Sequence, residues 1–168
     1  MNEIKTNNNL HIEGFFDEQT STISYVVHDN IEKKCAVIDS VLDFDYSSGD
    51  IDYVNADKII SYIDRNKLNL EWLIETHVHA DHLSASPYIQ KKLGGKIGIS
   101  EKISDIQNIF GKTFNAGTEF QRDGSQFDKL FKDNDEYKIG NINCKVINTP
   151  GHTPACTAHV IENSIFVG

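Results

Sequence analysis

Thr76-His77-Val78-His79-Ala80-Asp81-His82-Leu83 places three imidazoles and a carboxylate within six residues, where the strand expected over Leu70 to Thr76 ends. Where the backbone is extended, His77 and His79 stand at i and i+2 and project to the same side, so both rings can share one cation. Asp81 and His82, past the strand end, can turn toward a second position beside it. Imidazole donors suit zinc, iron and nickel better than calcium or magnesium. With 7 His and 15 Asp among 168 residues, a random His-x-His-x-Asp-His arises in roughly one such chain in a thousand. Four polar side chains crowded at a strand end are costly to bury without a partner, and a metal is the usual one.

A second segment, Thr149-Pro150-Gly151-His152-Thr153-Pro154, ends the run Cys144 to Asn148. Pro150 and Gly151 stop a strand and turn the backbone, which fixes His152 on a loop as a third imidazole for the same cation. His11, His28 and His159 lack such company and read as ordinary core or surface histidines. Cys35, Cys144 and Cys156 are odd in number and form no Cys-x-x-Cys pair, so they read as buried small hydrophobes.

Outward from these motifs the chain alternates strand and helix signals. Thr20 to His28 and Lys34 to Val41 are β-branched runs around a polar turn, a hairpin. Leu42 to Val54 carries four Asp and reads as a functional loop. A helix capped by Asn55 follows, with Ala56, Ile59, Ile60 and Ile63 on one stripe. Ser86 is placed to cap a helix that begins at Pro87 and stops at Gly94. Lys96 to Ile99 reads as a strand, Glu101 to Phe110 as a helix, and Gly111 to Asp135 mostly as loop. The last part is strands, with Gly140-Asn141 and Glu162-Asn163 as hairpin turns. This is a mixed α/β order, and the loops 42–54 and 111–126 are expected to border the metal site.

Composition limits the function. The formal charge of −9 repels a phosphate backbone and argues against nucleic-acid binding, leaving a small diffusible substrate. The N-terminus lacks the basic and apolar regions of a secretory signal, and no segment is apolar for long enough to span a bilayer. The expectation is a cytoplasmic protein off the membrane, with a homodimer compatible.

The two histidine segments together resemble the metallo-β-lactamase superfamily. Ile38 to Asp50, Glu75 to Ile99, Phe110 to Phe131 and Asn148 to Ile161 are similar to bacterial β-lactamase-like hydrolases related to persulfide dioxygenases. The resemblance implies an α/β fold, the αββα sandwich. The chain 1–168 would form its N-terminal part, as one domain with a mixed sheet and helices on one side. It implies a first metal site of His77, His79 and His152, with Asp81 and His82 matching the second site and acting in catalysis. The family's next ligand, an Asp, would follow Gly168, and its last His and substrate-contacting Arg and Tyr would lie later still. On that reading the first sheet keeps an apolar face for a second sheet to cover. The implied chemistry is oxidation of a thiol persulfide, such as glutathione persulfide, to sulfite with Fe(II). The alternatives are a Zn(II) thioester or ester hydrolase of glyoxalase II type, mononuclear or dinuclear, and an inactive metal-binding fragment.

Overall fold

The structure, a computed structural model, describes residues 9–79 and 82–167. In chain order the strands and helices are β1 (Leu10–Asp17), β2 (Thr22–Asp29), β3 (Lys34–Ile38), β4 (Val41–Phe44), β5 (Ile51–Asp52), α1 (Val54–Arg65), β6 (Asn69–Ile74) and β7 (Leu83–Ser84). They continue with α2 (Ser86–Leu93), β8 (Lys96–Ser100), α3 (Ile103–Thr113), β9 (Lys129–Phe131), β10 (Glu136–Ile139), β11 (Ile142–Asn148), β12 (Thr157–Ile161) and β13 (Ser164–Phe166).

Six strands form a mixed sheet in the order β1-β2-β3-β6-β8-β9, antiparallel through β3 and parallel from β3 to β9. β3 is a nearly continuous apolar run because both faces of this sheet are covered. One face, through Val26, Cys35, Val37 and Leu73, packs on Ala56, Ile59 and Ile63 of α1 and on Ile89 of α2. The other face, through Val27, Ala36, Ile38, Ile74 and Phe131, packs on β10 to β13 through Tyr137, Ile139, Cys144, Val146, Ile161 and Phe166. The expected uncovered face is therefore covered by this chain's own antiparallel meander, whose β10 and β11 alternate buried and exposed residues. Among the described residues the layers are helices, mixed sheet, antiparallel sheet: an α/β fold of the αββα type with helices on one side.

Several local expectations need correcting. β1 adds a strand beyond those expected; its eight residues, Leu10 to Asp17, pair along the whole of β2. Residues 42–54 are a small sheet with β7, order β5-β4-β7, rather than an irregular loop. Asn55 does not cap α1. The helix begins a residue earlier, and Asp43 of β4 accepts the Asn55 backbone N–H at 2.9 Å and its side-chain amide at 2.6 Å. Ser86 is the first residue of α2, and its hydroxyl turns away from the helix to Glu75. The 111–135 stretch hides β9, three residues paired in parallel with β8. α3 starts at Ile103 because Glu101 and Lys102 form the turn before it. No described helix is long and apolar enough to cross a membrane.

Two packing features carry predictions. A Cβ on Gly98 of β8 would stand 2.5 Å from Cε2 of the buried Phe131 ring. Gly98→Ala is therefore expected to destabilise the fold by about 1–3 kcal/mol through overpacking, read as a lowered urea midpoint at unchanged slope. His159 lies fully buried between the sheets, and burial pushes its imidazole from 6.5 down to about 4. Burial first, then His11, does the same for His28, also to about 4. The unfolded chain takes up protons that these two rings refuse in the fold, so their contribution is complete above pH 6.5 and is lost as pH falls toward 4. Urea titrations of metal-free protein should show that decline, and a flat profile over the window would contradict it.

Candidate metal centre

The site forms where the parallel strands β3 and β6 end, the usual place for a ligand crevice in such sheets. Beyond β3 the chain continues in register through Asp39, whose N–H donates to the Ile74 carbonyl at 2.9 Å. Asp39 then turns in the left-handed region, φ 49°, a conformation Asp tolerates better than most residues. Its carboxylate, 7% exposed, points across to the end of β6. Oδ1 accepts the Thr76 N–H at 2.8 Å and lies 3.1 Å from His79 Nε2, while Oδ2 accepts the Thr76 hydroxyl at 2.7 Å.

Glu75, 3% exposed, is the second buried carboxylate. Its Oε2 lies 2.9 Å from the same His79 Nε2, and its Oε1 accepts the hydroxyls of Ser84 and Ser86, each at 2.5 Å. Asp39, Glu75 and His79 bring ligand atoms within 4.8 Å of one another, a group able to hold a transition-metal ion. Burial alone would lower the His79 pKa; hydrogen bonds and charge from Asp39 and Glu75 outweigh it and hold it up to about 10. Burial would likewise raise Asp39, but the His79 hydrogen bond and charge, with the Thr76 donors, keep it below the ordinary carboxylate range.

The histidines expected at the site are brought together. Ring centroids are 4.3 Å apart for His77 and His79, 5.1 Å for His77 and His152, and 4.2 Å for His79 and His82. β6 ends at Ile74, so the closeness of His77 and His79 comes from bends after the strand and not from the strand pleat. Asp81 lies outside the described residues. His11, His28 and His159 take no part in the cluster: His11 faces Glu13, His28 faces Tyr62, and His159 lies between Tyr137 and Thr157. Cys156 is buried and its sulfur accepts the Thr153 N–H at 3.2 Å, which braces the turn that carries His152.

The hydrogen-bond network also assigns ring protons. The Thr76 hydroxyl spends its hydrogen on Asp39, so His77 Nδ1, 3.0 Å from the Thr76 oxygen, is the donor. His82 Nδ1 faces the Leu83 carbonyl at 3.0 Å and donates to it. His79 Nε2 faces only carboxylate oxygens and carries a proton, so ligation by this ring would fall to Nδ1. This is the usual second contact of a metal-bound histidine, in which the far ring nitrogen donates to a carboxylate.

Two cavities flank His79 and His82. One, about 340 Å³, is bordered by Asp17, Gln19, Leu42, Asp43, Phe44 and Tyr46; the other, about 300 Å³, by Val78, Pro87, Ile97, Ile99, Gln126 and Phe127. The 42–54 segment thus borders the site as expected, whereas the 111–126 segment reaches it only through Gln126. Asp39 and Glu75 received no role from the sequence. The one local sign was a Glu immediately before Thr76-His77 with hydroxyls nine and eleven residues on; Asp39 acts from 37 and 40 residues away.

A model of the metallo-beta-lactamase superfamily matches residues 18–168. A probable metallo-hydrolase of Burkholderia pseudomallei (strain 1710b) is 48% identical over 155 residues, covering 92% of this chain and 53% of that protein. The mitochondrial persulfide dioxygenase ETHE1 of Homo sapiens is 24% identical over 148 residues, covering 88% of this chain and 46% of that protein. The crystal structure of ETHE1 from Myxococcus xanthus has a TM-score of 0.70 at 22% identity, over 94% of this chain and 56% of that one. The chain spans about half the length of these relatives. Motif, fold and family match agree, and the chain belongs to the metallo-beta-lactamase superfamily.

Proposed function

We propose that this chain carries the metal-binding part of a persulfide dioxygenase-like enzyme, with one transition-metal ion, Fe(II), held by His77, His79 and His152. The observation that carries the reading is the proton assignment. The rings of His77 and His79 lie together with their outer nitrogens committed to Thr76 and to the two carboxylates. His152 meets His77 edge to face from the other sheet. Such a donor set fits a borderline transition metal. Asp39 and Glu75 suit orienting His79 better than ligation, because protein donors already engage every oxygen of both carboxylates.

In the proposed reaction a thiol persulfide, dioxygen and water give the thiol, sulfite and two protons. Bound iron would supply the site at which the persulfide sulfur and dioxygen meet. The protein's share is positioning: Asp39 and Glu75 fix His79, Thr76 fixes His77, and the two cavities on either side of His79 give a small substrate a bounded approach. Glutathione persulfide is the substrate to test first. The similarity to a persulfide dioxygenase supports this choice.

One observation favours a second reading. His82 stacks on His79 and turns Nδ1 to the Leu83 carbonyl, so Nε2 is the nitrogen that a second metal position would use. With Asp81 it would make a dinuclear Zn(II) site for thioester or ester hydrolysis of glyoxalase II type.

Purified protein is expected to retain about one equivalent of metal by mass spectrometry after dialysis, as a single set of three histidine ligands requires. His77→Ala and His152→Ala should each lower that content, and His28→Ala should not. Equal content in all three variants would defeat the assignment. In the full-length protein, sulfite release from glutathione persulfide should require iron and fall to the metal-free level in the same two variants. Two zinc per chain with thioesterase activity and no sulfite would establish the second reading instead.

A further inference from the structure

We infer that Glu75 is a positioning residue that staples the histidine segment, tying its first residues, its middle and its exit to one buried carboxylate. Glu75 stands just before Thr76-His77. Its Oε2 reaches His79, four residues on, and its Oε1 reaches Ser84 and Ser86, nine and eleven residues on. The chain thus leaves β6, presents its histidines, and returns to the same side chain as it enters β7 and α2. The two partners at the exit are short serine side chains, so the reach of Glu75 sets the separation between the end of β6 and the start of α2.

The second half of the staple is equally constrained. Ser84 Oγ accepts the Ser86 N–H at 3.1 Å while donating to Glu75, so one hydroxyl both closes the first turn of α2 and binds the carboxylate. Ser86 Oγ, itself 3.1 Å from Ser40 Oγ, links the same carboxylate to the segment just after Asp39. Asp39 and Glu75 therefore approach one imidazole nitrogen from two sides, Asp39 braced by Thr76 and Glu75 by the serines. Two buried carboxylates so placed remove the freedom of the His79 ring to rotate or flip. Outer contacts of this kind are commonly worth 10–100-fold in metal affinity.

The reach also separates a staple from a ligand. Were Glu75 a metal ligand, the serines would matter little. As a staple it needs them, although neither serine is a metal donor of the site. The metal readout of the inference rests on the proposed histidine site; the backbone readout does not.

The test compares wild type, Glu75→Gln, Ser84→Ala/Ser86→Ala and the remote control Ser104→Ala, all as the 168-residue chain. Amide hydrogen exchange of His77, Val78, His79, His82 and Leu83 is followed without metal, and Co(II) affinity and visible spectrum are followed separately. The staple is expected to show as exchange about 10-fold or more faster at these amides in both site variants, with Co(II) bound about 10–100-fold more weakly. At saturating Co(II) the double serine variant should recover the wild-type spectrum, since no ligand is lost. Weak binding in Glu75→Gln alone, with exchange and affinity unchanged in the serine variant, would overturn the staple in favour of direct ligation. Unchanged exchange in both variants would also overturn it. If wild type binds no Co(II), the proposed function fails, while the exchange arm still decides the staple. Should Glu75→Gln fail to fold, the serine variant decides alone.

Discussion

A carboxylate buried at the end of a parallel strand must find donors, and the way Asp39 finds them organises this protein. An unpaired buried charge would cost several kcal/mol. Asp39 avoids that by taking the Thr76 N–H, the Thr76 hydroxyl and the His79 ring at once. Those donors are in reach only if β3 and β6 are parallel neighbours in one register, a register continued past the strands by the Asp39 N–H to the Ile74 carbonyl. The backbone accepts a left-handed residue there so that the side chain can turn inward. Sheet register and histidine geometry are thus one constraint.

The antiparallel sheet is joined to that constraint through Thr157. Its N–H and its hydroxyl both donate to the Thr76 carbonyl at 2.9 Å, so the residue gripped by Asp39 on one side is gripped by β12 on the other. With its hydrogen spent, the Thr157 oxygen can only accept from His159 Nε2 at 3.3 Å, which makes His159 Nδ1 the acceptor for the Tyr137 hydroxyl at 3.0 Å. A neutral ring satisfies both contacts, in agreement with the lowering of its pKa by burial. The same strand follows the turn that carries His152, so the sheet that closes the core also delivers the third imidazole.

What the sequence disclosed followed from range. The histidine motif, the β-branched strands and the turns at Gly140-Asn141 and Glu162-Asn163 are local signals, and the structure shows Gly140 and Glu162 at positive φ as two-residue turns require. His152 was legible because Pro150-Gly151 fixes its loop. Asp39 was not, since its partners lie 37 and 40 residues on and nothing in Ile38-Asp39-Ser40 distinguishes it from a turn. β9 was hidden because three residues are too short for a pattern. Ser86 and Asn55 misled for a shared reason: each has the chemistry of a helix cap, but tertiary partners, Glu75 for one and Asp43 with Asp17 for the other, claim their side chains.

The acidic residues divide by the same logic. Asp17 and Asp43 line the cavity of about 340 Å³ beside His79, and Asp45 follows in the next turn. Asp17 accepts the Thr20 N–H and hydroxyl and the Asn55 amide, Asp43 holds the start of α1, and Asp45 accepts the Ser47 N–H. These carboxylates fix turns and a helix start near solvent. Asp39 and Glu75 differ because they are buried and converge on one imidazole, where two negative charges face a single ring nitrogen. Density of acidic residues along the chain is therefore a poor guide to the candidate metal centre here; the two carboxylates that converge there are separated by 36 residues and brought together by the parallel pairing of β3 with β6.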